Sequence, residues 1–298
     1  MLFETLEYYE NLSRCPRYLK DYGQIKELIA IKARHKRCLN QWKPHLDNSK
    51  NFINQNIDKN PSIFGSSHIL VLGAGMANDL DLHSLTDKFD KVILNDLFFL
   101  KSTRKSLSHY PNIFYTEFDI TGCMEKILDL VLKHQNNYSI FLEKLHDFTK
   151  KRDDFNRLLK QQTLVKITGS SDIQNIISLN LLSQLPLSFQ KLFEKYFKTE
   201  YKEKDCCFFY KMIIKEHLSM LNHLKKLGKT VLIISDSYKY VSNKRGKEIL
   251  QESSLFDINI KQNLLNIKEE KNWYWELAPI GEVSHSYSLR LLVNAYKI

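Results

Sequence analysis

The chain has 298 residues, 43% of them hydrophobic and 26% charged. That is enough to bury one sizeable core, and no window approaches the roughly 18 apolar residues of a membrane-spanning helix. The net charge of +10 suits an anionic partner such as RNA, an acyl carrier or a lipid headgroup. Its bases, however, alternate with acids, as in Lys144, Lys150, Lys151 and Arg152 beside Glu143, Asp147, Asp153 and Asp154, which is the pattern of solvated helix faces and not of a nucleic-acid stripe.

Residues 1–60 are predicted helical, because Tyr18, Tyr22, Ile25, Ile29 and Ala33 recur at helical intervals with charged residues between them. The turn-rich joint from Asn60 to Ser67 leads to a first strand at about 68–72 and a helix at about 76–86. A strand at 91–95, a helix at 97–108 and a strand at 112–117 follow. Such alternation implies right-handed crossovers and a parallel sheet. A helical excursion at about 121–162, too long for a simple crossover, precedes a short strand at 176–179 ending in Asn180. Helical patterning fills 187–227, stopped by Gly228, and Thr230–Ser235 reads as a fully buried strand. Two strands, 272–278 and 287–296, joined by the loop Pro279 to Ser286, close the chain. The organisation expected is a helical extension over 1–64 and one α/β domain over 65–298 with an insertion at 121–174.

The five cysteines form no C-x-x-C pair and have no histidine at zinc spacing, so no disulfide scaffold or metal site is expected. Cys206 and Cys207, among Phe208, Phe209 and Tyr210, read as small buried hydrophobes. The acidic opening Glu4, Glu7 and Glu10 is no export leader, and a cytoplasmic location is expected.

Chemistry concentrates where Ile69–Leu72 runs into Gly73-Ala74-Gly75-Met76-Ala77-Asn78-Asp79 and the next strand ends in Asn95-Asp96. Glycines let the backbone turn sharply and approach a ligand, and an acid at the following strand tip accepts hydrogen bonds from ribose hydroxyls. Gly-x-Gly at a turn also serves packing alone, Asp96 and Asp119 can equally cap a helix or a turn, and Asn180 with Ser183 and Gln184 can bind substrate or merely tie a loop. Gly73–Asn78 imitates the G-x-G-x-x-G fingerprint with Asp96 about 20 residues on, which keeps an NAD(P)-binding oxidoreductase as an alternative; Asn78 in the sixth position and the terminal strand pair fit it poorly. If a proton must be removed, the strand-end candidates are Asp236, Glu282 and His285. Arg34, His35, Arg37, Trp42 and His45 form a polar and aromatic group that either covers the crevice or anchors a helix.

This order of elements resembles the class I S-adenosylmethionine-dependent methyltransferases over about residues 65–298. The family's acid-x-Gly-x-Gly-x-Gly turn is matched by Val71-Leu72-Gly73-Ala74-Gly75-Met76-Ala77, which keeps two of three glycines and has Val71 in place of the acid. Trp42–Leu46, Ser178–Pro186 and Ala278–Glu282 are similar to segments of a bacterial group of methyltransferase-like proteins of unassigned substrate.

The resemblance implies a Rossmann-like, doubly wound, mostly parallel seven-stranded sheet whose antiparallel last strand lies beside the fifth. It implies S-adenosyl-L-methionine as cofactor, held by Gly73, Ala74, Gly75, Asp96, Leu97, Asp119, Ile120 and Asn180, with Asp236 and His285 as catalytic candidates and no metal. The activity it implies is methyl transfer to a small or medium-sized acceptor. A catalytically silent binding protein and an RNA methyltransferase are the alternatives. The Asn-Pro-Pro-Tyr signature of amino-group methylation on bases or glutamine is absent, and no motif specifies the acceptor or the oligomeric state.

Overall fold

Short runs rich in apolar residues become the parallel strands of a sheet. In the computed structural model, which describes residues 2–58, 67–151 and 173–298, these are β1 (His68–Leu72), β2 (Lys91–Asp96), β3 (Ile113–Glu117), β4 (Ile173–Leu179) and β5 (Thr230–Asn243). They pair in parallel in the order β3-β2-β1-β4-β5. The last strand, β8 (Tyr287–Lys297), runs antiparallel beside β5 and is flanked by β7 (Glu269–Ala278). The result is an α/β architecture on a mixed, mostly parallel sheet of eight strands.

Seven strands were expected, and the eighth is β6 (Glu248–Ser253), which pairs with the far end of β5. β5 runs for 14 residues, well past the buried run at its start. Its outer half is mostly half-buried and β6 is almost wholly solvent-facing, so no apolar alternation betrays them. The hairpin is closed by Asn243, whose side-chain oxygen accepts the amides of Arg245 and Lys247, and by Gly246 at φ 74°.

The expected N-terminal helical extension comprises four helices among the described residues: α1 (Leu2–Leu12), α2 (Arg17–Asp21), α3 (Gln24–Arg37) and α4 (Leu39–Asn56). They break at Pro16, at Gly23 with φ 73° and at Cys38. The helix expected at 76–86 is α5 (Leu82–Lys88); it starts late because Gly75 and Ala77 sit at φ 53° and 60°, and Asp81 then caps it by accepting the Ser84 amide. The next helix, α6 (Lys101–Leu107), also begins late, its first amide donated to the side chain of Asn11 on α1. Within the excursion lie α7 (Met124–His134) and α8 (138–151). The rest of it, 152–172, and the joint at 59–66 lie outside the described residues. The stretch 187–227 divides at Lys198, φ 47°, into α9 (Leu185–Phe197) and α10 (Glu203–Lys226).

Two layers of helices cover the sheet. On one face Trp42, Phe52 and Ile53 of α4 pack with Val71, Leu94, Ile177 and Val293. On the other, Ile214, Leu218 and Leu221 of α10 pack with Leu70, Ile176 and Ile233. Within that second layer His217 shares a hydrogen bond of 2.8 Å with Ser178, and burial pushes its pKa down to about 4, so it is a neutral core residue.

The end of α4 is tied to the sheet by Asn175 of β4, which accepts the Asp58 amide at 2.9 Å and donates to the Asp58 carbonyl at 3.1 Å. Asp58 also accepts from Thr230 and from Lys297. At about 1 kcal/mol of net stability per bond, Asn175→Ala is expected to cost about 2 kcal/mol in urea-monitored unfolding. A loss under about 0.5 kcal/mol would show that this tie contributes nothing.

Candidate ligand site at the carboxyl edge of the sheet

Where β1 ends, the chain must turn away from the sheet without striking β4. Gly73 does this at φ 76°; a Cβ there would lie 2.8 Å from the Leu179 carbonyl oxygen and 2.9 Å from the Leu181 Cβ. The amides of Gly73 and Ala74 both donate to the Asn95 carbonyl at 3.0 Å, fastening the turn to β2. Gly75, at φ 53°, has nothing within 4 Å of where a Cβ would stand. One glycine is therefore required by packing and the other faces open space.

That space is a cavity of about 760 Å³ above the carboxyl ends of the parallel strands. Its size falls in the range of roughly 300–1,000 Å³ typical of small-molecule sites. The turn Gly73–Met76, Asp96, Leu97, Asp119, Ile120 and Asn180 all line it, so the structure gathers every expected cofactor residue around one hollow. Its roof comes from the N-terminal helices, including Tyr22, Leu28 and Arg34. Tyr22 is anchored by its hydroxyl, which donates to the Met124 carbonyl at 2.9 Å.

Asp96 is half-buried at the tip of β2. One carboxylate oxygen accepts the Gly75 amide and the other the Leu97 amide, each at 2.7 Å. Burial pushes its pKa up to about 6 against the pull of these amides. The Phe98 amide pulls the same way, and of the carboxylate's four lone pairs at least one is left for a further donor. Asp119 is committed differently: its oxygens accept from the amide and hydroxyl of Thr121 and from the amides of Cys123 and Met124. It caps the start of α7, and both it and Ile120 border the cavity.

The floor holds groups that no motif announced. Asp79, just beyond the glycine turn, lies 2.9 Å from His45 Nε2 and accepts from Asn180 Nδ2 at 3.1 Å. On its other side His45 accepts the indole N–H of Trp273 at Nδ1, 2.9 Å away. An indole nitrogen only donates, so the ring's single proton sits on Nε2, towards Asp79. Burial opposes ionisation of Asp79, but His45, Asn180 and Ser49 outweigh it and hold the carboxyl below its usual range. His45 is fully buried and stacks on Trp275 at 4.1 Å between ring centroids. The sequence carried only weak signs of this group: an aspartate shortly after the glycines, and a histidine in the Trp42–Leu46 segment.

Asp236, at the bulge where β5 leaves the sheet centre, also lines the cavity. Burial raises its pKa, and Ser183 donates to it at 2.5 Å. His285 is exposed in the loop after β7 and is not among the cavity-lining residues. Glu282 of that loop is spent on a clamp, accepting both Nε and Nη2 of Arg37 at 3.0 and 2.6 Å, with Arg34 at 3.5 Å. Together with the bond from Trp42 Nε1 to the Leu277 carbonyl at 3.0 Å, this clamp fastens the roof to the terminal strand pair. Among the described residues no group of histidines, cysteines and acids is arranged to hold a metal, and no helix is long and apolar enough to cross a membrane. All five cysteines are unbridged.

No protein-family profile matches the chain, and no curated protein matches it. Among solved structures, one from work on the conversion of a disulfide bond into a thioacetal group during echinomycin biosynthesis aligns with it. The alignment covers 82% of this chain and 89% of the other, at 9% identity and a TM-score of 0.33. A likeness that distant carries no argument about fold or function.

The two glycines separate folding from binding. Gly73→Ala drives a Cβ into backbone at a left-handed position and is expected to cost more than about 3 kcal/mol. Gly75→Ala meets no atom and should cost about 1–2 kcal/mol for its positive φ alone. Equal losses in thermal unfolding would contradict this division.

Proposed function

We propose that this protein is an S-adenosylmethionine-dependent methyltransferase. The observation that carries the reading is Asp96: a strand-tip carboxylate with acceptor capacity left, bordering a ligand-sized cavity next to the open side of Gly75. Two adjacent ribose hydroxyls are donors of the right kind for it. The sheet order supports the same reading, since an antiparallel last strand between the fifth strand and its neighbour is the arrangement of the family that the sequence resembles. A dinucleotide-binding reading leaves that strand pair unexplained.

The residues present fit such a cofactor. Gly75 leaves room where a side chain would stand, and acidic side chains outnumber basic ones eight to four in the cavity lining, which suits a sulfonium and repels a polyanion. The net charge of +10 is therefore not expressed in this cavity, and RNA is the weaker reading of the acceptor.

Bound there, the cofactor supplies an electrophilic methyl group. The chain's own part is positional: reacting atoms must be held in line at about 3–3.5 Å in a dry pocket. Asp96 and the glycine turn hold the nucleoside, the roof of Tyr22, Leu28 and Arg34 excludes water, and Leu289 and Leu291 of β8 give the far wall an apolar lining. Asp236, at the β5 bulge with its pKa raised by burial, is the group able to take a proton from a hydroxyl or amine acceptor.

Calorimetry with S-adenosylhomocysteine tests the reading. Binding is expected well below about 1 mM, and Asp96→Ala should weaken it at least about tenfold by removing two hydrogen bonds to a charged group. No heat of binding, or unaltered affinity in the variant, would refute it. Because Asp96 titrates at about 6, protonation competes with the ribose hydroxyls. Affinity should be at its plateau above that pH and fall below it by up to about tenfold per pH unit. Affinity constant between pH 5 and 8 would remove Asp96 from the binding site.

A further inference from the structure

A ligand held only by its ribose would swing about that end, and the sequence lacks the acid that precedes the glycines in the resembled family. Val71 stands there, apolar and fully buried in the sheet, and cannot hold a cation. We propose that Asp79 takes that task, as the seat of the ammonium group at the amino-acid end of the cofactor; the assignment rests on the cofactor reading above.

The argument is one of charge balance. Asp79, its carboxyl held below the usual range chiefly by His45 and Asn180, borders the cavity with 18% of its side chain exposed. His45 is neutral, because Trp273 occupies Nδ1 with an N–H and leaves a single proton on Nε2. Asn180 and Ser49 are neutral amide and hydroxyl donors. His35, the next titratable ring towards it, is kept below its usual pKa by burial. Among the described residues no lysine or arginine pairs with Asp79. A buried carboxylate without a counter-charge is costly to keep unless something that enters the cavity supplies one.

Two unclaimed groups complete the subsite. Asn180 gives its Nδ2 to Asp79, but its Oδ1 is buried without a donor and can accept a second ammonium proton. Trp275, 9% exposed and lining the same cavity, has an indole N–H without an acceptor, which suits a ligand carboxylate oxygen. An anion, an open acceptor and an open donor at one end of a cavity match the ammonium and carboxylate of an α-amino acid.

The test compares S-adenosylhomocysteine with 5′-methylthioadenosine, the related nucleoside lacking both the ammonium and the carboxylate, by calorimetry on the full chain. The unaltered protein is expected to prefer S-adenosylhomocysteine by about tenfold or more, and Asp79→Asn to abolish that preference. The variant should weaken S-adenosylhomocysteine at least about tenfold and 5′-methylthioadenosine less than about twofold, the latter serving as the control for an intact fold. Equal weakening of both nucleosides would make Asp79 a structural support. An unchanged S-adenosylhomocysteine affinity would place the ammonium elsewhere, as would equal affinity of the unaltered protein for the two nucleosides. Each of these overturns the inference and leaves the cofactor reading standing. Failure of the unaltered protein to bind either one removes both.

Discussion

The absence of a single Cβ at Gly73 sets the geometry on which the site depends. Because a Cβ at this left-handed position would stand 2.8 Å from the Leu179 carbonyl oxygen, only a glycine lets β1 and β4 end side by side and the chain leave the sheet in one tight step. That step brings the amides of Gly73 and Ala74 onto the Asn95 carbonyl and the amide of Gly75 onto Asp96. Asp79 then arrives within reach of Asn180, itself held at φ 48° by its amide bond to the Ile234 carbonyl. A cavity bordered by four strand ends is the consequence.

The N-terminal helices are part of that site and not an appendage. They roof the cavity through α2 and α3, and α4 carries His45 into the floor, where it links Trp273 of β7 to Asp79 of the glycine turn. The clamp of Arg34 and Arg37 on Glu282 closes the same connection from outside. Removing the extension would strip Trp42, Leu46, Phe52 and Ile53 from one sheet face and leave Asp79 without its main partner. Binding and folding are therefore coupled through the same helices.

Much of this was legible in the sequence. Runs such as Ile69–Leu72 and Val231–Ile234 have no escape from being buried strands, and the Gly73-Ala74-Gly75 turn with Asp96 was found because its chemistry is local. Where local chemistry was ambiguous, the sequence left the choice open. Nothing in Asp119-Ile120-Thr121 tells a ligand-facing acid from a cap, and the structure gives all four of its hydrogen bonds to the loop that starts α7. His285 had a suitable pKa in principle but no partner in the sequence to place it, and it stands exposed. β6 was invisible because a solvent-facing strand has no buried alternation. The Trp273–His45–Asp79 chain joins residues more than 200 positions apart at its first link, 228 between Trp273 and His45, and only the fold brings them together. Ala77 shows the converse: it looks like the loss of a glycine, yet it keeps the left-handed turn at φ 60°, so the backbone path of the motif survives the substitution.

The central claim is that Asp96 receives the ribose of an adenosine ligand beside the glycine turn. A crystal structure grown with S-adenosylhomocysteine tests it most directly. The account predicts both ribose hydroxyls within about 3 Å of the Asp96 carboxylate oxygens, with the nucleoside beside Gly75. Density for the ligand elsewhere, or an empty cavity at saturating ligand with Asp96 still bonded only to Gly75 and Leu97, would contradict it.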